Sequence, residues 1–388
     1  MKERSQTKII CTLGPASENF ETIEQLFLNG MSIVRLNMSH GTHKTCSKII
    51  ENIRKVEEKY MVKIFVALDT QGPELRIHCT ESLHIKEGDN VKIVFLDEFN
   101  RYAHNKKIEA KNKHLIGVNI NTLEGLCIGN VINLDDSKLL LRIEHVGNNY
   151  LETVALCEHL LKNKKRVYFQ SLESDRTFLS GQDISDIDFA IKNFLDAIFV
   201  SFVESSKDII KIRKLIKDKT VQIISKIESK KAICNIKEIL DVSDGIMIAR
   251  GDLMNDVGVE LLFSSQKQLV YLSKSKPIIM ATEMLQSMVN SKTPFRSEIS
   301  DIGNAILDGC SGIMLSSETA VGKHPAICVD TMRMVSINAE RYLNQLIGDL
   351  HGDTVSAAQT LEWSGAEDRK SMLAKGIYFK KQSIQKRD

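Results

Sequence analysis

The stretches VQIISKIE (221–228) and GIMIARGD (245–252) decide how this sequence folds. Each opens on β-branched and aliphatic residues and closes on charge, the form of a strand buried on both faces that ends at a polar edge. The same form recurs outward from them. Upstream lie TKIICTLG (7–14), MSIVRLNMS (31–39), KIFVALDT (63–70) and DAIFVSFVE (196–204); downstream lie PIIMATEM (277–284) and GIMLSSET (312–319). Most of these eight runs are followed by helical periodicity, as in ETIEQLFLNG (21–30), KDIIKIRKLIKD (207–218) and ISDIGNAILDG (299–309). Eight alternating β and α units predict an α/β fold, a (β/α)8 or TIM barrel with a closed parallel sheet.

A second regularity points the same way. In seven of the runs ionisable or hydroxyl residues collect at the C-terminal end: Arg35-Asn37-Ser39, Asp69-Thr70, Ser201, Lys226-Glu228, Arg250-Asp252, Thr282-Glu283 and Ser316-Glu318. Barrel enzymes assemble their active sites on that face. A single such ending reads as a strand-end turn, but seven alike read as a site.

The interval 74–174 breaks the rhythm. It carries β-like runs (VKIVFLDEF, NVINLDDSKLLLRI, KKRVYF) and glycine-containing turns, with no βα unit. It predicts a small β domain, a β-barrel lid, inserted after the third barrel strand. Such a lid would hang over the barrel mouth and exclude water. The barrel is then expected over 1–73 and 175–345. A short tail, 346–388, follows it, too brief for another α/β domain.

Composition excludes several classes. The 388 residues are 43% hydrophobic and 26% charged with a formal net charge of +2, so no nucleic-acid surface is indicated. The eight cysteines show no CxxC spacing, which argues against zinc or dithiol redox chemistry. The N-terminus MKERSQTKIICTLG has neither a signal peptide's apolar core nor a membrane span. A soluble cytoplasmic protein is expected. There is no Walker-type loop and no dinucleotide fingerprint, so a bound nucleotide must be held by arginines, lysines and metal.

Two clusters carry the chemistry. Lys226 and Glu228 alternate on one strand and share a side of it, and Asp252 closes the next run. Two carboxylates from neighbouring strands suit Mg2+ or Mn2+ with coordination positions open to substrate, and the lysine suits charge developing on a transferring phosphoryl group. A buried Lys–Glu ion pair without metal is the competing reading. Arg35, Asn37 and Ser39 form the second cluster with Asp69 and the Thr70 carbonyl. It offers hard oxygen ligands with one carboxylate, plausible for a monovalent cation, and an arginine able to grip phosphate; a satisfied polar layer is the alternative. Thr282 would present a hydroxyl to the same cavity, and the amides near Gly251 and Asp252 could receive a carboxylate.

Together TKIICTLGPAS, GMSIVRLNMSHGTH, VALDTQGPELR, ISKIES, SDGIMIARGDL, PIIMATEMLQSM and NAILDGCSGIMLSSETAVGKHP resemble the motifs of the pyruvate kinase family, in family order from about 7 to 343. The resemblance implies phosphoryl transfer between phosphoenolpyruvate and ADP. By motif, Glu228 and Asp252 would bind Mg2+ or Mn2+, Lys226 would stabilise the phosphoryl group, and Arg35 would clamp phosphate. Asn37, Ser39, Asp69 and Thr70 would hold K+; Thr282 would serve enolate protonation; Arg35, His40, Arg76 and Lys165 would contact the nucleotide. Glu74, in GPE, resembles the K+-dependent branch.

The chain departs from the family pattern at Gln71, Met254, Asp256, Phe295 and Val321, and in the returning hinge RTFLSGQD (176–183). The resemblance further implies a short form without the C-terminal effector domain, so sugar-phosphate activation there is not expected. It leaves a homo-oligomer, or a hetero-oligomer in which a non-catalytic chain joins a fuller paralogue, as assembly readings.

Overall fold

The computed structural model describes residues 2–103, 114–135, 137–169, 172, 178–216, 220–273 and 276–350. The chain divides into two compact units: Met1–Gly72 with the described residues from Leu179 onward, and Pro73–Phe178.

The first unit is a closed barrel of eight strands: Lys8–Leu13, Met31–Asn37, Phe65–Asp69, Ala197–Val200, Gln222–Ile227, Gly245–Ala249, Ile278–Ala281 and Gly312–Leu315. Each pairs in parallel with its sequence neighbours, and the eighth closes on the first through Lys8↔Gly312 and Cys11↔Leu315. All eight apolar runs therefore form strands of one barrel. Its interior is filled by Ile10, Ala67, Ala197, Phe199, Ile224, Met247, Ile279, Ala281 and Met314. Alanines beside a buried phenylalanine show large and small side chains sharing one layer, as close packing requires. Gly245 opens the sixth strand because a Cβ there would lie 2.8 Å from the Pro277 carbonyl and 2.9 Å from Ile224 Cδ1.

The helices begin where side chains can satisfy their unpaired amides. Asn19 accepts from the Thr22 amide ahead of Phe20–Leu28. Thr42 and Thr45 cap His43–Tyr60 reciprocally, and Ser180 with Asp183 does the same for Gly181–Lys192. Asp183 also accepts from the Gly72 amide (3.0 Å), tying the exit of the third strand to that helix. The last helix is Pro325–Leu350. Residues 351–388, most of the expected tail, lie outside the described residues.

The second unit is all-β at heart. Seven strands run in the order Val167–Phe169, Val131–Leu134, Leu139–Val146, Tyr150–Ala155, Asn90–Phe95, Leu115–Val118, Ile77–His78. A bridge between Arg76 and Arg166 joins the two ends of that order, so the sheet is nearly closed on itself. Ile77, Ile93, Ile116, Ile132, Leu141 and Leu151 lie in its core. One expectation inside it needs correction. VKIVFLDEF does not continue as β: the strand stops at Phe95 and Leu96–Ala103 is a helix, with Asp97 and Glu98 in the first turn where the helix dipole favours negative charge.

Candidate active site

The polar residues at the C-terminal ends of the barrel strands converge as parallel strand order requires. Asp69 ends the third strand and is 1% exposed. Its Oδ2 accepts from Arg35 Nε at 2.6 Å, and its Oδ1 lies 3.2 Å from Lys226 Nζ. Burial alone would push the Asp69 carboxyl upward; Arg35 and Lys226 overcome it and hold the group below the usual carboxylate range. Arg35 is fixed a second time by donating from Nη1 to Thr12 Oγ1 (3.0 Å) on the first strand.

Lys226, on the fifth strand, is buried among acceptors. Its Nζ lies 2.7 Å from Ser201 Oγ and 3.0 Å from Glu228 Oε1, besides Asp69. Desolvation opposes its charge, but Asp69 and Glu228 more than restore it, so the ammonium is held charged well above the ordinary lysine range. Glu228 responds in the opposite direction. Burial, with Asp252 adding repulsion, pushes its carboxyl up to about 7 against the pull of Lys226.

Glu228 is 2% exposed. Its Oε2 accepts from the Phe202 amide at 2.7 Å, while its buried Oε1 receives no well-directed hydrogen bond even though Lys226 is close. A buried, raised carboxylate with an oxygen not yet in a hydrogen bond, facing a second carboxylate, is the donor chemistry a hard divalent cation completes. Among the described residues no group of three or more His, Cys, Asp or Glu is arranged to hold a metal.

Two positions differ from the sequence expectation. Asp252 does not end a strand: the sixth strand stops at Ala249 and Arg250–Val257 is a helix, placing Asp252 in its first turn. Ser39 does not continue the alternation of Arg35 and Asn37, because the second strand stops at Asn37 and a turn begins; the Ser39 amide donates to Asn37 Oδ1 (3.2 Å). In both cases a local turn takes over where periodicity alone would extend the strand. Asn37 still lies beside Asp69 in register, and the Met38 amide donates to the Asp69 carbonyl. Asn37 with Ser39, and Asp69 with Thr70, thus lie at the ends of two paired strands.

Thr282 lies just past the seventh strand with φ +73°, a strained setting for a β-branched residue. Its Oγ1 accepts from the Gly251 amide (3.0 Å), and Arg250 holds its carbonyl from Nη2 (2.5 Å) while Nη1 pairs with Asp301 (2.6 Å). Thr282 and Gly251 therefore meet across two neighbouring strand ends, with Asp252 next in the chain.

A family model described as "Pyruvate kinase, barrel domain" matches residues 4–329. The chain is 40% identical over 339 residues to a pyruvate kinase of Encephalitozoon cuniculi, covering 87% of this chain and 76% of that protein. It is 36% identical over 366 residues to one of Kluyveromyces lactis, covering 92% and 72%.

The chain belongs to the pyruvate kinase family.

Identity to a bacterial pyruvate kinase, that of Geobacillus stearothermophilus, is 36% over 349 residues, which is 88% of this chain and 58% of that protein. Against that family background the remaining expected residues can be placed. His40 is exposed in the turn after the second strand. Arg76 and Lys165 lie in the inserted unit, where Arg76 pairs with Glu74 (2.7 Å) and Lys165 with Asp135 (2.8 Å). Two family departures, Phe295 and Val321, are both exposed. Sequence reasoning gave no role to Thr12 or to the Phe202 amide, and saw Ser201 only as a hydroxyl at a strand end. The available signal was their shared level: each sits at or just past the end of a strand, beside a charged residue of the next.

Proposed function

We propose that this chain is a pyruvate kinase, transferring the phosphoryl group of phosphoenolpyruvate to ADP to give pyruvate and ATP. The observation that supports this most is the meeting of Lys226, Glu228 and Asp252 at the C-terminal end of the family's barrel, with Glu228 Oε1 buried and without a directed hydrogen bond. Glu228 and Asp252 would hold Mg2+ or Mn2+, which when bound supplies Lewis-acid polarisation of phosphoryl and enolate oxygens. Asn37, Ser39, Asp69 and Thr70 would hold K+, adding positive charge beside the transferred group.

The chain's own groups do the rest. Lys226, kept charged by Asp69 and Glu228, presents an ammonium to negative charge that spreads over the phosphoryl oxygens. Arg35 is immobilised by Asp69 and Thr12, so its remaining N–H groups meet phosphate without reorganising. The Gly251 amide and the Thr282 hydroxyl stand together at the adjacent strand ends. There they would orient the substrate carboxylate and a proton for the enolate carbon. His40, in the turn after the second strand, would serve the nucleotide. Catalysis of this kind rests on positioning and fixed charge.

The test is formation of pyruvate from phosphoenolpyruvate by the purified chain, with ADP, Mg2+ and K+ each withheld in turn. Turnover that requires ADP and both cations is expected. A soluble, folded chain without ADP-dependent turnover would remove the assignment. Among the described residues no helix is long and apolar enough to cross a membrane; we propose action in the cytoplasm, as a homo-oligomer.

A further inference from the structure

Ser201 is a neutral side chain between the two charged clusters, and it is 2% exposed. Its hydroxyl has a single proton. That proton faces two acceptors, the Thr70 carbonyl at 2.6 Å and Asp69 Oδ1 at 3.3 Å, so it sits on the Thr70 side. The lone pairs of the same oxygen face Lys226 Nζ at 2.7 Å. The Ser201 amide in turn donates to Thr70 Oγ1 at 3.1 Å. One residue therefore contacts Thr70 through both backbone and side chain, and contacts the lysine through the oxygen that orients the Thr70 carbonyl. An ammonium on one side of a hydroxyl strengthens its donation on the other. What happens at the Thr70 carbonyl is thereby felt at Lys226.

We propose that Ser201 is a positioning residue that couples the monovalent-cation donors, through the Thr70 carbonyl, to the ammonium of Lys226. The inference rests on the proposed kinase reading. Without the hydroxyl the Thr70 carbonyl loses the bond that aims it, and Lys226 loses its only neutral acceptor among the hydrogen bonds and ion pairs described above. Ser201 touches no substrate in this account. Its effect therefore falls on cation binding and turnover, and not on affinity for phosphoenolpyruvate. Coupling of this kind is reciprocal in binding, so a change at the lysine end also alters how tightly the cation is held.

The experiment compares the parent chain with Ser201→Ala, Ser201→Cys and Ser201→Thr. Four quantities are read: kcat, KM for phosphoenolpyruvate, the K+ concentration giving half-maximal rate, and the rise in Tm on adding KCl. Tetramethylammonium chloride keeps ionic strength constant. For Ser201→Ala, kcat should fall about tenfold and the half-activating K+ concentration rise about fivefold, the scale of one lost hydrogen bond to a charged network. KM for phosphoenolpyruvate should move less than about twofold, since uniform binding is untouched. The KCl-dependent rise in Tm should shrink in parallel. Ser201→Cys nearly keeps the volume but makes only weak hydrogen bonds, so it carries the same expectation should the alanine variant fold poorly. Ser201→Thr keeps the hydroxyl and should recover most of both effects. A fall in kcat with unchanged K+ half-activation and unchanged KCl-dependent Tm would overturn the coupling and leave Ser201 a packing residue. Parent-like values in every variant would overturn it too. A parent chain that makes no pyruvate would overturn the kinase reading, and the coupling with it.

Discussion

Replacing Lys226 by methionine separates catalytic charge from structural charge at this site. Methionine is unbranched and of similar length, so the buried space stays filled. Breaking a buried ion pair by removing one partner typically costs about 3–5 kcal/mol, because the other charge is stranded. Here the stranding is partial: Asp69 keeps Arg35 at 2.6 Å. Glu228, already raised to about 7 by burial and by Asp252, loses the pull that lowers it and takes up a proton near neutrality. The stability loss should therefore fall below that range, at roughly 2 kcal/mol. Turnover has no such escape. Loss of a preorganised stabiliser of developing charge costs about 2.7 kcal/mol or more, so kcat should drop at least about a hundredfold. Protonation of Glu228 adds a second effect, weaker divalent binding, which saturating Mg2+ removes from the measurement. The assay is kcat at saturating Mg2+ and K+, alongside thermal denaturation of the same sample. A folded Lys226→Met chain with kcat within about tenfold of the parent would refute the electrostatic role argued from the structure.

Three further outcomes follow from the same contacts. Asp69 is held below the ordinary range, so its contribution to stability is full above about pH 4, the value of an unfolded aspartate, and fades as pH falls through its lowered folded value. Asp69→Asn should thus be destabilised by about 3 kcal/mol at pH 7, with the gap closing below pH 4; urea midpoints that differ equally from pH 3 to 7 would contradict this. Glu228 is raised, so the parent is penalised increasingly as pH climbs from about 4 through 7. In metal-free buffer at pH 8, Glu228→Gln should be the more stable protein by on the order of 1–3 kcal/mol. Added Mg2+ should raise Tm in the parent but not in this variant, and an equal rise in both would show that the ion binds elsewhere. Glu340, buried on the last helix, accepts from the Gln6 and Thr7 amides and the Thr7 hydroxyl. Glu340→Ala should lower stability by about 3 kcal/mol and speed hydrogen exchange at Thr7; unaltered exchange there would speak against the staple.

The barrel was legible because each of its strands is buried on both faces and must be written as an apolar run such as GIMIA or GIML. Lys226 and Glu228 were legible too, since two positions apart on a strand face alike. Where a strand stops is written far less clearly. Ser39 and Asp252 each belong to a turn or helix that begins one or two residues before periodicity would end the strand. The partners of the charged residues were harder still. Thr12 meets Arg35, and Ser201 meets Lys226, only because the strands carrying them are neighbours in the closed barrel. A hydroxyl at a strand end does not announce which charge it will face. In the inserted unit, VKIVFLDEF carries a strand-like start and a helix-like end in one apolar run, and no punctuation marks the change.

The closure of the barrel through its first and last strands sets an order on biosynthesis. Lys8 pairs with Gly312, roughly 300 residues later. At about 5–20 residues per second, one edge of Lys8–Leu13 waits some tens of seconds for its mate while the nascent chain lengthens. Through that interval the ribosome-bound intermediate exposes a short, mostly apolar strand edge, and chaperone demand should be concentrated there until Gly312–Leu315 emerges.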